Sequence, residues 1–136
     1  MIAAVVLSAG ESSRMGEPKA LLPIDGQTFI ERIVASLKQS GLARIIVVLG
    51  FNAEEMRRKL EHLPVEIVVN PEYQQGQLSS LQTAIRYLES DRGCDGMLVH
   101  LVDHPYIDPV LVRAMLHRFN ESNHLIVVPR HQGKRG

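Results

Sequence analysis

The chain has 136 residues, with 15 Lys and Arg balancing 15 Asp and Glu. That length suits one domain, and a composition of 45% hydrophobic and 22% charged residues excludes wholesale disorder or a low-complexity chain. Zero net charge, 4% aromatic residues and no Trp argue against a dedicated binder of nucleic acid or acidic membranes, and one cysteine, Cys94, excludes an internal disulfide and fits a reducing compartment.

In chain order, short β-branched runs alternate with amphipathic stretches. Met1 leads straight into Ile2–Leu7 with no basic stretch before it, and that apolar run is too short to span a bilayer. No targeting segment is expected, and the expected location is cytoplasmic. Predicted strands cover 3–8, 44–49, 65–69, 97–102 and 125–128. They are nearly continuous apolar runs, as strands covered on both faces require. A helix is predicted over 28–40, with Phe29, Ile30, Ile33, Val34 and Leu37 at helical spacing and Gly41 placed to stop it. Asn52 and Glu55 have capping-box spacing for a second helix. Ser79 or Ser80 is expected to cap a third over 81–88. Asp108 followed by Pro109 starts a fourth that runs through Phe119. This alternation predicts an α/β fold, a parallel sheet with helices on both faces, whose ligands bind beyond the carboxyl ends of the strands. Chemistry is therefore expected at Ser8 onward, Gly50, Asn70-Pro71, Asp103 and Arg130.

The first of those ends reads Ser8-Ala9-Gly10-Glu11-Ser12-Ser13-Arg14-Met15-Gly16-Glu17-Pro18-Lys19-Ala20-Leu21-Leu22-Pro23. Small residues let the backbone approach a ligand, and successive free N–H groups make an anion-binding concavity. Arg14 and Lys19 add two cations, the first able to grip phosphate through two parallel hydrogen bonds. The loop therefore reads as a triphosphate cradle; the alternative is a flexible surface loop. It is not a Walker A loop, because Gly16 is followed by Glu17-Pro18-Lys19, nor a dinucleotide fingerprint, because position 12 is Ser.

This stretch resembles the opening signature of nucleotidyltransferases with a Rossmann-like sheet, and the Pro-Lys-Ala-Leu-Leu-Pro continuation is most similar to their MobA-like branch, especially molybdenum cofactor cytidylyltransferases. Val47-Val48-Leu49-Gly50-Phe51, Asn70-Pro71-Glu72-Tyr73 with Gly76 and Ser79-Ser80-Leu81, and Leu101-Val102-Asp103-His104-Pro105 follow in the family's order. The resemblance implies a three-layer α/β/α Rossmann-like nucleotidyltransferase fold. It also implies transfer of a nucleoside monophosphate from an NTP to a phosphate-bearing acceptor such as the molybdopterin cofactor, with release of pyrophosphate. The family's pattern continues past Gly-Lys-Arg-Gly, so residues 1–136 read as one domain, the nucleotide-binding portion, with the C-terminal part missing.

On this resemblance Asp103, which ends an apolar run before His104-Pro105, is the Mg2+ ligand; a turn or cap residue is the alternative. Ser8, Ala9, Gly10, Glu11, Ser12, Ser13 and Ser80 bind nucleotide, although Ser80 can equally be a plain cap. Arg14 and Lys19 carry the catalysis, Arg14 on the outer phosphates and Lys19 on the α-phosphate. Ala9, where guanylyl-transferring relatives tend to have Gly, tilts the choice of base towards CTP. His100 and Asp103 face opposite sides of a strand, which argues against zinc. His104 reads as a substrate contact or a surface residue, Asn70 as the start of a turn, and Cys94 as a bystander. Two other functions are carried forward: a non-catalytic nucleotide-binding or regulatory domain, and a P-loop-like phosphohydrolase, disfavoured by Glu17-Pro18-Lys19. An exposed sheet edge is expected to permit homo-oligomers; no nucleic-acid or membrane partner is expected.

Overall fold

The computed structural model describes residues 1–10, 18–121, 126–131 and 134–135. In chain order the elements are β1 (Ile2–Ser8), a 3-10 turn (Lys19–Leu21), β2 (Pro23–Ile24), β3 (Gln27–Thr28), α1 (Phe29–Gln39), β4 (Ile45–Leu49), α2 (Ala53–Leu60), β5 (Glu66–Val69), a second 3-10 turn (Tyr73–Gln75), α3 (Gln77–Glu89), β6 (Gly96–Leu101), α4 (Pro109–Glu121), β7 (Arg130–His131) and β8 (Lys134–Arg135). The central sheet has the order β5-β4-β1-β6, with every pair parallel.

Alternate residues of the central strands feed two separate interiors, which is why these strands carry no polar face. Ala4, Val6, Ile45, Val47 and Leu49 meet Ile30, Ile33, Val34 and Leu37 of α1, Met56 and Leu60 of α2, and Val112 of α4. Ala3, Val5, Leu7, Ile46 and Val48 meet Ala84 and Leu88 of α3 on the other side. Helices thus cover both faces in three layers, as expected. Among the described residues no helix is long and apolar enough to cross a membrane.

The four central strands and α1 and α4 form within a residue or two of their predicted spans, and Gly41 follows the last turn of α1. Three local expectations are corrected. Asn52 does precede α2, but in a left-handed conformation (φ 52°) with no side-chain cap, so no capping box forms there. A capping box forms instead at α1, where Thr28 Oγ1 accepts from the Glu31 N–H at 3.2 Å and the Thr28 N–H donates to Glu31 Oε1 at 2.8 Å. Neither Ser79 nor Ser80 caps α3. The helix begins at Gln77 after Gly76, and both serines lie inside its first turn. The third concerns 125–128. Residues 126–129 carry no regular structure, Leu125 lies outside the described residues, and β7 instead pairs with β8. A β-branched run becomes a strand only where a neighbour completes its ladder, and among the described residues none does.

The β2–β3 hairpin is among the elements not anticipated. Asp25 (φ 49°) and Gly26 (φ 81°) turn β2 back onto β3, the two-residue geometry for which Asp-Gly is suited.

At the amino-terminal end of the sheet, Arg44 ties three elements together. Its Nε and Nη2 donate to the two Glu66 oxygens at 2.7 and 3.0 Å, and its Nη1 bonds Asp91. The Tyr87 hydroxyl donates to Glu66 Oε1 at 2.8 Å. Arg44 holds the Glu66 carboxyl below its usual range; the Gly93 N–H and then Arg44 do the same for Asp91. Both carboxylates are therefore more acidic folded than unfolded. Their contribution to stability is complete above the ordinary carboxylate pKa of about 4 and is lost as the pH falls through the folded values. The urea midpoint is expected to drop as the pH falls from about 5 to about 2, and less steeply in Arg44→Met, in which both carboxylates lose their guanidinium partner. An identical acid limb in that variant would show that the cluster is not its source.

Candidate active site

A parallel sheet ordered this way has its switch point between β1 and β6, where the chain leaves two adjacent strands in opposite directions and opens a crevice. A cleft of about 240 Å³ lies there, walled by Leu7–Gly10 from β1 and Leu101–Asp103 from β6. The backbone fixes both walls. Leu7 O accepts from the Val102 N–H at 3.2 Å, and Ala9 O accepts from the Phe51 N–H at 3.1 Å. Position 50 must be glycine for that closeness: a Cβ there would stand 2.7 Å from Ala9 O and 2.4 Å from Tyr73 Cβ.

Six of the sequence-predicted site residues line this one cleft: Ser8, Ala9, Gly10, Lys19, Ser80 and Asp103. The other four, Glu11, Ser12, Ser13 and Arg14, lie outside the described residues. Lys19 reaches in from the first 3-10 turn, and its Nζ stands 3.9 Å from Asp103 Oδ2 across the mouth. Both side chains are about half exposed, and ion pairs of that exposure are weak. Each partner is thus free to exchange the other for a ligand of its own preferred charge. Asp103 Oδ1 also faces His104 Nε2 at 3.6 Å.

Phe51 and Tyr73 also line the cleft and meet edge to face with ring centroids 6.2 Å apart. Asn52, Gly76 and Gln77 line it as well. From sequence alone Phe51, Tyr73, Gly76 and Gln77 carry no assigned role, and Asn52 reads only as a cap. The signal was there, because each follows the carboxyl end of β4 or β5, where ligands of such sheets bind.

Asn70 proves to be more than a turn residue. Its Oδ1 accepts from the Glu72 N–H at 3.0 Å, and its Nδ2 donates to Ser79 Oγ at 2.9 Å and Ser80 Oγ at 3.0 Å. All three side chains are buried. Ser79 Oγ in turn donates to the carbonyls of Glu72 and Gly76. Asn70 therefore clamps the start of α3 to the end of β5. Since it approaches Ser80 as a donor, the serine's own proton is left to point elsewhere.

Burial lowers the pKa of His100, which favours the neutral imidazole, and His100 Nε2 lies 2.7 Å from the His104 carbonyl. Cys94 lies away from the cleft, beside the Gly96 carbonyl. Among the described residues, Asp103 is the one carboxylate lining the cleft. No group of three or more His, Cys, Asp or Glu side chains there could hold a metal by itself. A single half-exposed carboxylate suits a hard cation whose remaining ligands are phosphate oxygens and water.

The family model for the MobA-like NTP transferase domain matches residues 4–136. The chain is 37% identical over 121 residues to a bifunctional IPC transferase and DIPP synthase of Rubrobacter xylanophilus, covering 85% of this chain and 26% of that protein. It is 39% identical over 90 residues to a probable molybdenum cofactor guanylyltransferase of Bacillus cereus, covering 65% of this chain and 44% of the relative. Among solved structures, a nucleotidyl transferase from Methanothermobacter superposes with a TM-score of 0.73 at 33% identity, covering 86% of this chain and 57% of its own. The chain thus spans between about a quarter and somewhat over half of the proteins it matches. With the opening loop, the switch-point cleft and this match in agreement, the chain belongs to the MobA-like NTP transferase family.

Proposed function

We propose that this chain binds a nucleoside triphosphate with Mg2+ and transfers its nucleoside monophosphate, CMP by preference, to a small phosphate-bearing acceptor such as the molybdopterin cofactor, releasing pyrophosphate. The observation that carries this reading is the pairing of Lys19 with Asp103 across the switch-point cleft, one group suited to phosphate and the other to its counter-cation.

In such a transfer an acceptor phosphate oxygen attacks the α-phosphorus in line and pyrophosphate leaves, so the protein's work is alignment and charge stabilisation. Lys19 lines the cleft between β1 and β6, and on this reading its ammonium would neutralise charge building on the α-phosphate. The backbone of Ser8, Ala9 and Gly10 approaches the same space, and Arg14 is assigned to the outer phosphates. Asp103 would hold Mg2+, which when bound supplies charge neutralisation on phosphate oxygens. The apolar faces of Phe51 and Tyr73 and the amides of Asn52 and Gln77 form the end suited to a base and sugar, with the Ser80 hydroxyl nearby. Ala9 is what favours CTP. The guanylyltransferase among the relatives supports the reaction class rather than that base.

Calorimetry with CTP, GTP and ATP in Mg2+, followed by a pyrophosphate-release assay with phosphorylated acceptors, tests the reading. Binding with no pyrophosphate under any acceptor supports a regulatory nucleotide-binding domain instead, and orthophosphate released without acceptor supports a phosphohydrolase. Residence in the cytoplasm belongs to the proposal, as does self-association. Among the described residues no strand pairs with the outer edge of β6 (Gly96–Leu101), which carries no Lys or Pro to blunt it. Sedimentation velocity is expected to show a concentration-dependent dimer, and a monomer at all concentrations would remove that part.

A further inference from the structure

We infer that His100 is a positioning residue for Asp103, holding the turn that presents this carboxylate to the cation of a bound metal–nucleotide complex. The inference rests on the nucleotidyltransferase reading above and adds to it a residue that the cleft itself does not contain.

Asp103 sits one residue past the last ladder bond of β6, the Val102 N–H to Leu7 O at 3.2 Å. Beyond that bond the sheet no longer constrains the chain. Two hydrogen bonds shape the next residues: His104 N–H to Leu101 O at 3.2 Å, and His100 Nε2–H to His104 O at 2.7 Å. The second is the shorter, and it reaches back from the body of β6 across the turn. The two imidazoles also meet edge to face, with centroids 6.4 Å apart. Asp103 is thus bracketed. Its backbone lies between two residues pinned to the strand, and its carboxylate stands between Lys19 Nζ and His104 Nε2. His100 is opposite Val6 in the β1–β6 register, so it acts from the strand and not from the ligand space. Groups that orient a metal-binding carboxylate are typically worth about 10–100-fold in metal affinity or activity.

The test compares three substitutions at this edge-strand position. His100→Gln keeps an amide N–H close to where Nε2 stands, whereas His100→Leu and His100→Val remove the donor. Affinity is measured by calorimetry on the full chain, for whichever of CTP, GTP and ATP the wild type binds, first with Mg2+ and then in EDTA. In both donor-lacking variants the Mg2+-dependent gain in affinity is expected to fall about tenfold. Their affinity in EDTA should match wild type, and His100→Gln should recover most of the gain. A generally loosened fold would weaken both measurements together, and Gln would not rescue it. Equal Mg2+-dependent gains in wild type, Leu and Val overturn this inference alone, as does a parallel loss in EDTA. A wild-type protein that binds none of the three nucleotides with Mg2+ overturns the nucleotidyltransferase reading, and this inference falls with it.

Discussion

Lys19→Ala is expected to lower the rate of pyrophosphate release by about 10³–10⁵-fold, the range a well-placed cation is worth in phosphoryl transfer. The fold should be left intact. Lys19 is half exposed, and its ion pair to Asp103, the one it makes among the described residues, is long. Among the described residues its removal leaves no buried group unpaired, and surface changes of that kind usually shift stability by under about 0.5 kcal/mol. In the proposed reaction its position would matter far more, because its ammonium is assigned to neutralise the charge that builds on the α-phosphate. Lys19→Arg should restore little, since a planar fork cannot occupy the place of a compact ammonium. Rapid-quench measurement of pyrophosphate, with thermal melting as the control, checks both statements. Turnover like wild type in Lys19→Ala would take Lys19 out of the mechanism.

Gly50→Ala is the larger effect on the fold. The new methyl would stand 2.4 Å from Tyr73 Cβ, 2.8 Å from Tyr73 Cγ and 2.7 Å from Ala9 O. None of these can swing aside cheaply, since Ala9 O is backbone already bonded to the Phe51 N–H. Overpacking of this kind typically costs about 1–3 kcal/mol. Whatever relaxation occurs must spread the end of β1 away from the Tyr73 wall, so nucleotide affinity should weaken together with the urea midpoint. An unchanged midpoint with unchanged affinity would show that the three segments do not meet as described.

Why some of this was legible in the amino-acid order and some was not comes down to which partners are local. Val5, Val6, Val47 and Val48 announce doubly covered strands because every neighbour they need is apolar, wherever it comes from. Asp108-Pro109 announces a helix start because its own backbone provides the geometry, and in the structure Asp108 Oδ1 accepts from the Val110 N–H at 2.9 Å. The Lys19–Asp103 pairing was legible in parts. Each residue lies just past a strand end, but that the two ends adjoin depends on β6 docking beside β1 instead of beside β5. Ser79 and Ser80 misled for the opposite reason. Serine before an apolar run is a local capping signal, yet here both hydroxyls answer to Asn70, whose position is set by the end of β5. Asn52 failed similarly: the spacing to Glu55 was right, but Asn52 takes a left-handed conformation and its side chain makes no cap bond. The Asp25-Gly26 turn was readable and was passed over because its strands are only two residues long.

Ala20 does not line the cleft, yet it anchors a neighbour that does. Its side chain is wholly enclosed against α1, in the same interior as Ile30 and Ile33. The turn around it is stitched by Leu21 N–H to Pro18 O, Leu22 N–H to Lys19 O and Phe29 N–H to Leu22 O. Lys19 therefore stands on a pedestal whose height is one methyl group. A bulkier residue at position 20 would have little room inward, and any shift of the turn to admit it would carry the neighbouring ammonium away from Asp103.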